Sequence, residues 1–253
     1  MPATQSVKSS GKSSARGTRV VFDKAIAEDI VRYGRMLVAR GLIHNTLGNV
    51  AIRVEHPAFP HGLAYTKHSG ISLEEMSTDH VVITDVVTGD LVHGSIATSV
   101  GHNLNREILR LRPDINAVVH VHHDETIAFL ACKAFTEIKA VSLEYPYVMA
   151  KPPYIVPSHL DVEMDVDPIK DFIAGTNSLV MIRHGITTMG RNVSEAYHRM
   201  TTITSEIRRN IQIETLCALK GTKGEYLSQK EVEWMFREAE KVIYPTKNSY
   251  RNG

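Results

Sequence analysis

The stretch Ala117-Val-Val-His-Val-His-His-Asp124 ends an apolar run with two histidines that stand two residues apart. Side chains at positions i and i+2 of a β-strand point to the same face of the sheet. His120 and His122 can therefore place two imidazoles on one divalent metal ion. Because the chain contains 13 histidines, the alternative is a hydrogen-bonded histidine pair without a metal.

A third histidine follows another β-type run, in Leu179-Val-Met-Ile-Arg-His-Gly185. The run ends at a glycine, which is typical of a turn at the end of a strand. His184 is therefore the candidate third ligand of the same metal ion. Three polar histidines that bind no metal remain the alternative.

Composition limits the classes of function. The 29 basic and 28 acidic residues give a net charge of +1, which provides no bulk attraction to nucleic acid or to an anionic membrane. The two cysteines, Cys132 and Cys217, form no CxxC motif, so neither a disulfide framework nor a cysteine-based zinc site is indicated. Without an apolar run long enough to span a bilayer, we expect a soluble cytoplasmic protein.

The amino-terminal half alternates between helical and β-type patterns. Residues 1–19 are rich in Ser, Lys and Gly and predict a flexible tail. Apolar residues at helical spacing predict a helix from Phe22 to Arg40 and another from Ser99 to Leu111. Short β-type runs between Asn49 and Val92, broken by Pro and Gly, predict part of a sheet.

The carboxyl-terminal half continues the alternation, and residues 20–253 predict one domain that ends in helices. Strands are predicted at Ile138–Ser142, Tyr154–Val156 and Leu179–Ile182. The predicted helices run from just after His122 to about Ala134, through Pro168 to Ala174, from Val193 to about Leu219 and from about Ser228 to Val242.

Four stretches in this order resemble the class II aldolase and adducin head family, which includes fuculose-phosphate aldolases. They are Asn45-Thr-Leu-Gly-Asn-Val-Ala-Ile-Arg53, Thr66-Lys-His-Ser-Gly70, Arg112-Pro-Asp-Ile-Asn-Ala-Val-Val-His-Val-His122, and Arg183-His-Gly185 with Gly190. The resemblance implies an α/β fold of three layers, α/β/α, around a mainly antiparallel sheet. It also implies a homotetramer and one divalent metal ion per subunit (Zn, Mn, Fe or Co), held by His120, His122 and His184.

Two loops match the anion-binding loops of this family. Gly48 and Asn49 form one loop; Lys67, Ser69 and Gly70 belong to the other. Backbone N–H groups and small hydroxyl side chains in such loops bind phosphate or carboxylate. The alternative is that both glycines only close turns.

The chain departs from the family at one position. Family aldolases carry a catalytic carboxylate about nineteen residues before the first histidine of the pair, and that position is Gly101 here. Its neighbour His102 can serve as a neutral base or as an extra metal ligand. Ser99 keeps one anion contact of that loop, whereas Val100 replaces a second serine. These departures predict a three-histidine site without a carboxylate, and they favour a small carboxylate substrate over a sugar phosphate.

The resulting hypothesis is a metal-dependent carbon–carbon lyase that acts by decarboxylation or retro-aldol cleavage on an oxygen-rich carboxylate or hydroxyaromatic acid. Decarboxylation tolerates the missing acid better, because it needs no base to deprotonate a hydroxyl group. Tyr145 is a candidate proton donor, with packing beside Pro146 as the alternative. Three alternatives stay open: a non-haem iron(II) oxygenase of a hydroxyphenyl-type acid, a sugar-phosphate aldolase, and a non-catalytic adducin-like scaffold.

Overall fold

A computed structural model describes residues 20–243. The predicted tail 1–19 and the last ten residues lie outside this range. Seven α-helices and eight β-strands are present within it. They are α1 (Lys24–Ala39), β1 (Asn49–His56), β2 (Phe59–Lys67), β3 (Val81–Asp85), β4 (Leu91–His93), α2 (His102–Leu111), β5 (Ala117–Val121), α3 (Asp124–Ala131), α4 (Glu144–Met149), β6 (Tyr154–Val156), α5 (Lys170–Ile173), β7 (Ser178–Met181), β8 (Gly185–Gly190), α6 (Val193–Lys220) and α7 (Gln229–Ile243).

The strands form one sheet, in the order β4-β3-β2-β1-β5-β8-β7-β6 across residues 20–243. The edge pair β6–β7 is parallel, and the other neighbouring pairs within that range are antiparallel. The sheet is therefore mixed, and the expected mainly antiparallel sheet is confirmed only in part. The central position of β5 places the histidine pair in the middle of the sheet.

Helices cover both faces of this sheet, because the strands alternate their side chains between two apolar clusters. In β5, Ala117, Val119 and Val121 pack in a cluster with residues of α1 and α6. Val118 belongs to the opposite cluster, which contains residues of α2 and α5. His120 follows the alternation of Val118 and therefore lies on the α2 face.

Local sequence explains the first helix well. Asp23 caps α1 by accepting a hydrogen bond from the backbone N–H of Ala25 at 2.9 Å. Ala27, Ile30 and Leu37 are buried along one stripe of the helix. The predicted helix Phe22–Arg40 is confirmed to within two residues at each end.

The predicted strand Ile138–Ser142 is wrong. Its backbone hydrogen bonds go to side chains of α6 instead of a neighbouring strand: Lys139 N–H donates to Asn210, and Val141 N–H donates to Glu206. The β-type pattern of this segment thus reflects packing on a helix. None of the described helices is both long and apolar enough to cross a membrane.

Candidate metal centre

His120 on β5 and His122, directly after it, face each other at the end of the strand. Nε2 of His120 lies 3.0 Å from Nε2 of His122, and their ring centroids are 4.8 Å apart. Two imidazoles bound tetrahedrally to one zinc ion would hold their nitrogens about 3.3 Å apart, given Zn–N bonds of about 2.05 Å. The observed separation therefore suits two ligands of a single cation.

His184 reaches the same point from the turn between β7 and β8. Its ring centroid lies 5.3 Å from that of His120 and 4.6 Å from that of His122. One potential ligand atom from each of the three histidines lies within 4.8 Å of the others. The structure thus brings together the three residues that the sequence singled out as metal ligands.

Gly185 makes this convergence possible. A Cβ at this position would overlap the carbonyl oxygen of Val121 and lie 3.1 Å from Cα of His122. Only a residue without a side chain lets β8 begin so close to the histidine pair. Arg183, on the other side of His184, adopts a left-handed conformation with φ of 63°, which completes the turn.

The protonation of the first two histidines suits metal binding. Burial lowers the pKa of His120 to about 3 and the pKa of His122 to about 4, so both rings are neutral at pH 7. Neutral imidazole is the form that binds a metal. His184 differs, because the Glu163 carboxylate, 3.5 Å from its Nε2, raises its pKa.

A backbone carbonyl fixes the orientation of His120. Its Nδ1 lies 3.1 Å from the carbonyl oxygen of Ile186 and 3.0 Å from Oγ1 of Thr187. A carbonyl oxygen only accepts, so Nδ1 carries the proton and donates it. Nε2 of the neutral ring then presents its lone pair to the other two histidines, as in metal sites with an outer partner.

Glu163, in the loop after β6, corrects the expectation of a site without a carboxylate. Its Oε1 lies 3.5 Å from Nε2 of His120 and 3.5 Å from Nε2 of His184. Burial tends to raise the pKa of Glu163, but His184 and the other two histidines nearby lower it overall. A cavity of about 160 Å³ lies beside Glu163 and His184. The sequence signal was the acidic run Asp161-Val-Glu-Met-Asp165 after a strand.

The first anion loop lies beside the centre. Asn49 pairs with His120 in the β1–β5 register, so their side chains share one face. Asn105 donates a hydrogen bond to Oδ1 of Asn49, which leaves the Nδ2 donor directed elsewhere. That Nδ2 lies 3.5 Å from where a Cβ on Gly101 would stand. At Gly48, with φ of 67°, a Cβ would lie 2.7 Å from the carbonyl oxygen of His120.

Lys67 connects the two anion loops. Its ammonium donates hydrogen bonds to the carbonyl oxygens of Thr46 at 2.9 Å and Ile71 at 2.8 Å. Burial lowers the pKa of Lys67 to about 8. The charge thus lies between the loops and fixes one against the other.

The remaining predicted anion contacts lie in exposed or half-exposed loops. Gly70 has φ of 85°, and Ser69 N–H donates to the carbonyl of Ala97 at 2.8 Å. The carbonyl of Ser99 accepts a hydrogen bond from His102 N–H at 3.1 Å, in the turn that begins α2.

The two predicted proton-transfer residues are buried. His102 is 1% exposed, and its Nε2 lies 2.9 Å from Oγ1 of Thr84 on β3. Tyr145 is 1% exposed and packs in the apolar cluster of α1 and α6. Burial raises the pKa of Tyr145 and lowers that of His102 to about 3. The contacts of both residues are therefore those of core side chains.

Comparison with known proteins agrees with this architecture. L-fuculose phosphate aldolase of Methanococcus maripaludis is 27% identical over 67% of this chain and 87% of its own length. 3,4-Dihydroxyphthalate decarboxylase of Arthrobacter keyseri is 33% identical over 37% of this chain and 39% of its own. A solved structure of L-fuculose 1-phosphate aldolase superposes with a TM-score of 0.72 at 20% identity, covering 90% of this chain and all of that one.

The family model described as Class II Aldolase and Adducin N-terminal domain matches residues 28–209. This range includes both anion loops, the three histidines and Glu163. Class II aldolases depend on a divalent metal, and the three convergent histidines provide a possible site for one. The chain therefore belongs to the class II aldolase and adducin family.

Proposed function

We propose that this protein is a divalent-metal-dependent lyase that cleaves a carbon–carbon bond in a small anionic substrate with adjacent oxygen atoms. The convergence of His120, His122 and His184 carries the proposal, because their ligand atoms lie within 4.8 Å of one another. Imidazole nitrogens are donors that zinc, manganese, iron(II) or cobalt accepts. One such ion per subunit is the proposed cofactor.

When bound, the metal supplies a Lewis acid that stabilises the enolate-like charge left by the broken bond. The residues of the chain bind and orient the substrate. Nδ2 of Asn49 is a hydrogen-bond donor on the same face as His120. The loops at Gly48 and Gly70 provide backbone N–H groups for the anionic end, and Ser69 and Ser99 add hydroxyl groups.

The presence of Glu163 near the histidines makes retro-aldol cleavage as acceptable as decarboxylation. A carboxylate 3.5 Å from two ring nitrogens of the histidine centre can accept a proton from a substrate hydroxyl group. The missing acid at position 101 therefore no longer disfavours retro-aldol chemistry. Val100, in place of the serine that binds phosphate in relatives, still favours a carboxylate over a phosphate as the anionic group.

A sugar-phosphate aldolase is the second candidate. It is supported by the similarity to L-fuculose phosphate aldolase, which covers 67% of this chain, against 37% for the dihydroxyphthalate decarboxylase. The two candidates differ in substrate and share the metal centre. A tetramer, as the family resemblance implies, is part of either proposal.

The test is an assay of the metal-depleted protein, reloaded separately with Zn, Mn, Co or Fe(II), against hydroxyaromatic acids, hydroxy-keto acids and sugar phosphates. We expect cleavage of a hydroxylated acid that depends on metal and is abolished in His122→Ala. Cleavage of sugar phosphates alone would favour the second candidate. Oxygen consumption with Fe(II), or no carbon–carbon cleavage with any metal, would contradict the lyase.

A further inference from the structure

Glu163 faces the interior of the histidine centre. Its Oε1 is equally distant, at 3.5 Å, from Nε2 of His120 and Nε2 of His184. An ordinary salt bridge would approach one partner to about 2.8 Å, the distance typical of charge-assisted hydrogen bonds. The side chain is only 17% exposed, so the carboxylate is directed inward. The Glu163 carboxylate therefore lies where it could bind the same central ion as the rings of His120 and His184.

The tautomer of His120 makes this arrangement unfavourable without a cation. Because Nδ1 donates to the carbonyl of Ile186, Nε2 of the neutral ring holds a lone pair and no proton. A carboxylate oxygen and that lone pair then face each other across 3.5 Å. Two electron-rich atoms at this distance repel unless a positive charge lies between them.

Gly101 provides the space that the carboxylate occupies. A Cβ at position 101 would overlap Oε1 of Glu163 and lie 3.1 Å from its Cδ. The backbone there has φ of −58° and ψ of −15°, a right-handed helical conformation that residues with a side chain adopt readily. The backbone conformation therefore does not require glycine at position 101. Glycine is required there because a side chain would overlap the Glu163 carboxylate.

We propose that Glu163 is the fourth protein ligand of the metal centre in the substrate-free protein, and that Gly101 is the residue that leaves it room. The proposal rests on the metal centre of the proposed function and extends it. In this chain the carboxylate comes from the loop after β6, whereas a side chain at position 101 would come from the start of α2. The two positions compete for one volume, so only one of them can supply the group.

The experiment measures metal binding directly. Zinc affinity is determined by competition with a chromophoric chelator, and the ligand set is followed by the visible absorption spectrum of the Co(II) form. Glu163→Ala should weaken zinc binding by at least about tenfold, since even outer partners of metal ligands contribute 10–100-fold. The Co(II) spectrum should change in shape and intensity, because one oxygen ligand is lost.

Asp165→Asn is the matched control. Asp165 is an exposed acid in the same loop, and its carboxylate accepts a hydrogen bond from Asp167 N–H, which asparagine can also accept. This variant removes the same charge from the loop. We expect zinc affinity within about twofold of the parent, since a charge in solvent is screened.

Gly101→Ala tests the shared volume. In the parent background the added methyl group should displace Glu163 and weaken zinc binding about as much as Glu163→Ala does. In the Glu163→Ala background it should add little, because contacting residues are not additive. Circular dichroism and thermal melts of each metal-free variant confirm that folding is preserved.

The outcomes separate the two proposals. If Glu163→Ala keeps the parent zinc affinity and Co(II) spectrum while His122→Ala loses both, the fourth ligand is overturned and the histidine centre stands. If Gly101→Ala weakens zinc binding equally in the parent and in the Glu163→Ala variant, the two positions do not compete for one volume and that part of the proposal is overturned. If His122→Ala binds zinc as the parent does, the metal centre and the proposed function both fail.

Discussion

Asn49 and His120 lie directly opposite each other on adjacent antiparallel strands, with their side chains on the same face of the sheet. Asn105 donates a hydrogen bond to Oδ1 of Asn49, so the N–H donor of the Asn49 amide is left for another partner, on the side of Gly101. A donor fixed in this way stabilises negative charge that develops on a substrate oxygen. The pair thus places a candidate metal ligand and a candidate hydrogen-bond donor for the substrate at one level of the sheet.

The first prediction concerns this amide. Asn49→Ala should lower kcat/KM by roughly 100-fold, in the range found on removing one donor to a developing oxyanion. Zinc affinity should stay within about threefold, because Asn49 is not among the proposed ligands. Steady-state kinetics and chelator competition measure the two quantities. A large loss of zinc affinity with unchanged kcat would contradict the assigned role.

The second prediction concerns metal removal. A ligand at 100 times its Kd stabilises the folded state by about 2.7 kcal/mol, so saturating zinc should raise the melting temperature of the metal-free protein. His122→Ala should show a much smaller shift under the same conditions. Differential scanning fluorimetry with a zinc titration provides the measurement. An equal shift in both proteins would place the stabilising metal elsewhere.

The third prediction concerns Gly185. Gly185→Ala should destabilise the protein by more than about 3 kcal/mol or prevent folding, because the methyl group would overlap the backbone of Val121. Gly175→Ala is the control: its Cβ would lie 3.6 Å from the carbonyl of Phe172, an ordinary contact. Urea denaturation should find the control within about 1 kcal/mol of the parent.

The fourth prediction concerns Asp114, which accepts two hydrogen bonds of 2.7 Å from the buried guanidinium of Arg112. These bonds lower the pKa of Asp114 below its usual 3.8. A lowered folded-state pKa stabilises the protein above the unfolded value, and the contribution is lost as the pH falls through the folded value. Asp114→Asn should therefore be less stable than the parent at pH 7.

The pH dependence provides the check on Asp114. The difference in unfolding free energy between parent and variant should shrink as the pH falls below about 4, and it should be constant between pH 6 and 8. Because the carboxylate is 59% exposed, solvent screening keeps the difference modest. A difference that grows toward low pH would have the wrong sign and would exclude this ion pair as its source.

Sequence reasoning located the three histidines because their signals are local. The spacing of His120 and His122 follows from the two-residue period of a strand, and the glycine after His184 indicates a turn. The long helix α6 was predicted to within one residue at its end, because its apolar stripe repeats over many turns.

Other features depend on contacts that no local pattern records. Glu163 reaches the histidines from a loop that Val162 and Val166 anchor in the apolar cluster of α2 and α5, so the acidic run marks the residue without indicating its place. The parallel pairing of β6 with β7 similarly depends on the crossover between them. The segment 138–142 has a strand-like pattern, but buried Glu206 and Asn210 satisfy its backbone.

The ammonium of Lys67 donates hydrogen bonds to the carbonyl oxygens of Thr46 and Ile71. These bonds hold the two glycine-containing loops in a fixed position relative to each other. Altering one loop shifts the anchoring point of the other, so any redesign of substrate preference must transplant residues 45–48 and 67–71 together. Exchanging residues 45–48 alone for a loop that moves the carbonyl of residue 46 would leave the desolvated Lys67 ammonium with only the carbonyl of Ile71 as an acceptor.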